Sequence, residues 1–207
     1  MTAIRFVYFD MGNVLLHFDH HRAARQMAHV AACEEDLVWR TVFAGDLMQR
    51  YEGGRATDDD FYREFAEQTK SDADRAELDF AGAHIFTPNY SLWAVVNALT
   101  SAGYRTGILS NTCPAHWRYV VKHYPGVFLG NMAVHALSYE LGACKPDPTI
   151  FTRAAALAGV RPEEIFYCDD IPGHVAGARA VGYDAVLFTD TPTLVRDLRA
   201  RGLRFNY

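Results

Sequence analysis

Apolar positions change their period twice along the chain. Residues 4–9, Ile4-Arg5-Phe6-Val7-Tyr8-Phe9, are a β-branched and aromatic run broken only by Arg5, the pattern of a buried strand. Past Val14-Leu15-Leu16 the chain loses strand character. From 20 to about 84 it is rich in Ala, Leu, Glu, Arg and Met, which favour helix. Helical spacing predicts helices over 20–32, 34–49 and 58–69, with Tyr51-Glu52-Gly53-Gly54-Arg55 as a break and a further short helix over 73–83. Thr57, three residues ahead of Asp60, has the position of an N-cap. From Pro88 onward strands and helices alternate: helix 89–102, strand 105–109, helix 114–123, strand 133–137, helix 148–158, strand 165–168, helix 173–181, strand 185–188 and helix 192–201. Such alternation predicts a mostly parallel sheet with helices on both faces. Trp39, Phe43, Phe61, Phe65 and Trp93 recur near helical spacing, and core packing accounts for them.

Composition narrows the classes without naming one. The 207 residues suffice for one sizeable core, or a core with a small satellite. A formal charge of -5, with no basic stripe, argues against a nucleic-acid partner. No stretch has the length and apolarity of a membrane span. The N-terminal residues lead straight into the first strand and leave no room for a secretory signal. Cys33, Cys113, Cys144 and Cys168 lack metal-ligand spacing and read as reduced thiols, so a cytoplasmic location is expected. Monomer and homodimer are equally compatible with the sequence.

Candidate chemistry lies at the strand ends. The first strand delivers Asp10 into the turn Met11-Gly12-Asn13, and three polar clusters follow in order at later boundaries: Ser110-Asn111, Lys145-Pro146 and Asp169-Asp170. One strand-end acid is more often a turn residue than a nucleophile. Four convergent clusters are a different matter, because α/β folds place ligands beyond the carboxyl ends of their strands. Backbone amides of the 11–13 turn, the Ser110 hydroxyl and the Lys145 ammonium would surround a tetrahedral anion with donors. Asp10 and Asp170 would hold a hard cation such as Mg²⁺, and covalent catalysis through Asp10 follows naturally.

These segments resemble, in order, the four motifs of the haloacid dehalogenase-like hydrolase superfamily. Phe9-Asp10-Met11-Gly12-Asn13-Val14 resembles the first and Leu109-Ser110-Asn111-Thr112 the second. The stretch 138–148, Ser-Tyr-Glu-Leu-Gly-Ala-Cys-Lys-Pro-Asp-Pro, is similar to the lysine motif of the subfamily with a helical cap between the first two motifs. Phe166-Tyr167-Cys168-Asp169-Asp170, followed by His174, Ala178 and Gly182, resembles the fourth. The resemblance implies a Rossmann-like three-layer α/β/α fold with strand order 5-4-1-2-3. The core would comprise 1–16 and 87–207, and a helical cap domain 17–86. It implies Asp10 as nucleophile and magnesium ligand, Gly12 as a ligand through its backbone carbonyl, and Asp170 as the main further carboxylate, with Asp169 a further candidate that holds the network or the ion's water. Ser110 and Lys145 would bind the phosphoryl group, Lys145 would also neutralise Asp10, and Asn111 would contact substrate oxygens. The implied partner is a small phosphorylated metabolite.

One position departs from that pattern. Phosphatases of the superfamily usually carry an acid-base Asp two residues after the nucleophile, where this chain has Gly12. Losing a positioned acid-base typically forfeits roughly 10²–10⁴ in rate. A sugar 1-phosphate, with its better leaving group, suffers least, and the Asp-x-Gly-Asn-Val form resembles a subgroup that includes α-glucose-1-phosphate phosphatases. His17, His20 and His21 follow the turn, either as a proton relay or as plain helix-start residues. Two alternatives stay open: a metal-independent 2-haloacid dehalogenase, against which the Asp169-Asp170 pair argues, and a non-catalytic phosphate-binding or interaction protein. Tyr51, Trp39 and Arg55 are candidate cap contacts that packing and solvent exposure explain equally well.

Overall fold

The computed structural model describes residues 2–207. Five parallel strands, β1 (Phe6–Phe9), β2 (Arg105–Ser110), β3 (Val134–Leu137), β4 (Ile165–Asp169) and β5 (Asp184–Leu187), lie in the order β3-β2-β1-β4-β5. That is the expected 5-4-1-2-3 order counted from the opposite edge. Side chains alternate across β1. Val7 and Phe9 enter one layer with Leu92, Val95 and Leu99 of α6 (Tyr90–Ser101) and Leu194 and Leu198 of α12 (Thr191–Ala200). Phe6 and Tyr8 enter the other with Ile150, Phe151 and Ala154 of α10 (Pro148–Ala158) and Val175 and Ala178 of α11 (Pro172–Ala180). Each fully buried Phe, Leu or Val contributes about 1.5–3 kcal/mol. A backbone hydrogen bond nets only about 0.5–1.5 kcal/mol. Apolar alternation therefore fixes which face of these four- to six-residue strands points where, more than the ladder does.

Register sets the site. Phe9 stands opposite Ile108 on one side and Cys168 on the other. The residues just beyond these pairs therefore emerge side by side at one sheet edge, and they are Asp10, Leu109-Ser110 and Asp169.

Between β1 and α6 the chain makes a helical insertion: α1 (His20–Ala31), α2 (Glu35–Val38), α3 (Leu47–Glu52), α4 (Asp58–Thr69) and α5 (Arg75–Ala83). It has a core of its own, in which Met27, Val38, Val42, Leu47, Phe61, Phe65 and Leu78 pack together. Thr57 is the N-cap of α4 and forms a full capping box with Asp60, as its spacing predicts. The helix expected over 34–49 is not continuous. It widens into a π turn at Trp39–Phe43 and stops, and α3 starts afresh at Leu47. Gly45 at the stop lowers helix propensity, a local signal that periodicity alone passes over. Entry and exit of the insertion are stapled by a short antiparallel ladder, Leu16–His17 against Thr87–Pro88. The Asn89 side chain donates to the Val14 carbonyl (2.9 Å) and the Trp93 indole to that of Leu15 (2.9 Å), which fixes the same crossing.

Candidate active site

Asp10 continues the sheet past β1, its amide donating to the Cys168 carbonyl at 3.0 Å. The next residues turn sharply. The Met11 carbonyl accepts from Leu15 and Leu16 amides, and Asn13 takes a left-handed conformation (φ 53°), which its short polar side chain tolerates. Gly12 lets an aromatic ring approach the turn closely. A Cβ at this position would lie 2.7 Å from Cε1 of Phe18, whose ring covers the turn. A side chain at position 12 would have to displace that half-buried ring.

The centre of the site is the Lys145 ammonium, buried with four oxygens around it. Its three hydrogens are shared among Asp10 Oδ1 (2.8 Å), Asp169 Oδ2 (2.7 Å), the Tyr167 hydroxyl (3.0 Å) and the Leu109 carbonyl (3.1 Å). A buried charge is tolerable only when paired and hydrogen-bonded in this way. Lys145 is held by its own backbone. Asn111 Nδ2 donates to the Lys145 carbonyl (3.1 Å) while Asn111 Oδ1 accepts from the Lys145 amide (2.8 Å). The Asn111 side chain thus clamps the lysine loop, and its second amide hydrogen is left for the substrate contact that the sequence suggested.

The two buried acids beside Lys145 differ. Burial works against the Asp169 carboxylate, but His174 (3.1 Å), the Lys145 charge and the Tyr167 hydroxyl outweigh it and hold its pKa well below the usual range. The Ile171 amide donates to its other oxygen at 2.8 Å. Asp10 has fewer partners, Lys145 and the Met11 amide (2.7 Å), and burial raises its pKa to about 6. Lys145, despite burial, is raised by the charges of Asp10 and Asp169. Asp169 is the fixed anion that anchors the lysine, while Asp10 keeps the less committed carboxylate.

Asp170 lies beside them, half-buried, its Oδ2 accepting from Asn13 Nδ2 at 3.2 Å. Ligand atoms of Asp10, Asp169 and Asp170 all lie within 4.8 Å of one another, a donor set suited to a hard divalent cation. Asp169 already has protein partners on both oxygens, so Asp10 and Asp170 are the freer ligands. Ser110 is buried at the end of β2, its hydroxyl donating to the Asn111 carbonyl at 3.2 Å. His17 is exposed on the ladder, His20 stacks on Phe43 (4.8 Å) and His21 on Trp39 (4.2 Å). All three serve packing or surface.

Four participants were not read from the sequence: Tyr167, Ser138, Phe18 and Glu52. Ser138 Oγ accepts from the Thr112 amide (2.9 Å) and donates to the Glu52 carbonyl (2.6 Å), joining the second strand-end loop to the helical insertion. Its only sequence signal was its place at the head of the lysine segment.

Comparison with known proteins shows the family. Residues 4–182 match the family model described as haloacid dehalogenase-like hydrolase. A phosphoserine phosphatase from Thermus thermophilus is 39% identical over 74 residues, covering 33% of this chain and 30% of the relative. A bifunctional epoxide hydrolase 2 from Sus scrofa is 33% identical over 61 residues, covering 30% and 11%. The chain thus spans less than a third of either relative's length. Among solved structures, a HAD family enzyme from Bacteroides thetaiotaomicron, in complex with magnesium and inorganic phosphate, superposes with a TM-score of 0.78 at 24% identity, covering 89% of this chain and 94% of that one. An L-2-haloacid dehalogenase from Xanthobacter autotrophicus superposes less well, with a TM-score of 0.64 at 19% identity over 95% and 83% of the two chains. The chain belongs to the haloacid dehalogenase-like hydrolases.

Proposed function

We propose that this hydrolase is a magnesium-dependent phosphatase of a small phosphomonoester, such as a sugar phosphate of the glucose 1-phosphate kind, acting through an aspartyl-phosphate on Asp10. The observation that carries this reading is the arrangement of Lys145 between Asp10 and Asp169 with Asp170 alongside. Two or three carboxylates against one ammonium leave the site short of positive charge, and a phosphate dianion could not approach it unaided. Asp10, Asp170 and the Gly12 carbonyl are the groups that would hold the ion, and Mg²⁺ would supply charge neutralisation of the phosphoryl oxygens. In this reading Asp10 attacks phosphorus, Lys145 and Ser110 bind phosphoryl oxygens, and Asp169 keeps Lys145 in place. Residues 17–86 act as the cap that closes over the site and selects the substrate. The magnesium and phosphate bound to the Bacteroides enzyme and the Thermus phosphoserine phosphatase support the same class of reaction. The dehalogenase reading gains nothing from the Asp169–Asp170 pair, since expelling a halide needs no cation.

The test is phosphate release from glucose 1-phosphate, glucose 6-phosphate and p-nitrophenyl phosphate, with Mg²⁺ or chelator, beside Asp10→Asn. Release that requires the metal and falls by at least roughly 10³-fold in Asp10→Asn is the expected outcome. Chloride release from 2-chloropropionate, with no phosphate release, would replace the phosphatase by a dehalogenase.

A further inference from the structure

Asp170 differs from the acids beside it in how little holds it. Asp169 has protein partners on both oxygens, and Asp10 has Lys145 and the Met11 amide. Among the described residues the Asp170 carboxylate has one hydrogen-bond partner, Asn13 Nδ2, at 3.2 Å from its Oδ2. Ligand atoms of the three acids lie within 4.8 Å of one another. Carboxylates this close repel, and an unrestrained Asp170 side chain would relieve the repulsion by rotating outward to solvent.

Asn13 is placed to prevent that rotation. Its amide donates to the Leu16 carbonyl (2.7 Å), while the Met11 carbonyl accepts from Leu15 (3.0 Å) and Leu16 (2.9 Å), so backbone bonds close the turn around it. The side chain is exposed and fills no core. The left-handed backbone (φ 53°) would suit glycine at least as well. What glycine lacks is the carboxamide, the group that joins the first turn to the end of β4, 157 residues away. A cationic donor in the same place would pair with Asp170 and compete with an ion. A neutral amide fixes the carboxylate and leaves its charge available.

From this contact we infer that Asn13 is a positioning residue, which holds the Asp170 carboxylate beside Asp10 and thereby sets the preference of the site for Mg²⁺ over larger divalent cations. The inference rests on the magnesium-dependent reading above. Mg²⁺ demands near-ideal octahedral geometry, whereas Ca²⁺ accepts irregular and variable coordination. A carboxylate free to swing therefore costs the smaller ion more.

The test is isothermal titration calorimetry of the full chain, wild type and Asn13→Gly, with Mg²⁺ and separately with Ca²⁺. Asn13→Gly should keep the wild-type urea midpoint in chelator, since glycine accepts the backbone of the turn. Its Mg²⁺ affinity should fall roughly 10–100-fold, the usual loss when the hydrogen-bond partner of a metal ligand is removed. Its Ca²⁺ affinity should fall by a distinctly smaller factor. The Mg²⁺ concentration that half-activates phosphate release should rise in step with the Mg²⁺ dissociation constant. Unchanged Mg²⁺ affinity in Asn13→Gly overturns the inference. So do equal losses for the two ions, which would make Asn13 a support of the turn alone. Wild-type protein that binds no Mg²⁺, or keeps its Mg²⁺ affinity in Asp170→Ala, overturns the magnesium reading and the inference together. Mg²⁺ binding that is lost in Asp170→Ala but intact in Asn13→Gly overturns the inference alone.

Discussion

The strand ends and the 52–55 turn both border the lysine segment, and they are held there by opposite means. Asp10 and Asp169 sit on a sheet whose central strand is hydrogen-bonded on both sides, and their charges are tied into one lysine. Glu52 ends a helix held to the core by one hydrogen bond, from the Ser138 hydroxyl to the Glu52 carbonyl, and by the tight contact of Gly54 on Tyr139. An ion network needs a scaffold that cannot relax, because a buried charge that loses its partner has no water to turn to. A segment that only borders the site can be seated by a few local contacts.

Lys145→Met should give the largest effect, because it removes the only cation between two buried acids. A loss of about 3–5 kcal/mol in urea unfolding at neutral pH is expected. It should shrink on acidification as Asp10 takes up a proton. A loss no greater than that of a surface mutation would erase the contrast between the regions. Ser138→Ala strips a partner from the Thr112 amide and the Glu52 carbonyl, for a cost of about 1–3 kcal/mol. Its sharper signature is a raised KM with the Asp10-dependent reaction intact, as the insertion loosens from the lysine segment.

A smaller effect should appear in the pH dependence of stability. Burial pushes the Glu52 carboxyl up from its ordinary 4.5 to about 7 in the folded chain. Across that window the native state holds a proton that the unfolded chain has lost. The contribution of this group is therefore greatest below 4.5, declines as pH rises to about 7 and is level beyond it. Urea midpoints at pH 5 and pH 8 should differ by less in Glu52→Gln than in the wild type, and an unchanged difference would show that Glu52 is solvated. Thr57→Ala, at the exposed start of α4, should cost about 1 kcal/mol through the capping box. It should leave phosphate release nearly unaltered, since the Thr57 hydroxyl bonds only within its own helix start, to Asp60.

The strands were legible because their alternation and their polar ends coincide. Phe9 is followed by Asp10, Leu109 by Ser110 and Cys168 by Asp169, and parallel register brings those boundaries together. What the sequence hid was the use of side chains with a plausible role elsewhere. Tyr167 reads as a core aromatic in an apolar strand, yet its hydroxyl bridges Lys145 and Asp169. Asn111 reads as a substrate contact, and both ends of its amide also hold backbone. Glu52 reads as part of a turn, because its partner Ser138 is 86 residues away and only tertiary structure joins them. The break after Trp39–Phe43 was obscured because apolar spacing continues through it while the helix does not.

The Phe18 ring over Gly12 also ties two positions together. An acid introduced at position 12 arrives in occupied space, so as a first step it carries a steric penalty before its proton chemistry can act. Positions 12 and 18 are therefore coupled: a smaller residue at 18 opens room for a side chain at 12, so the effect of the pair should differ from the sum of the two single changes.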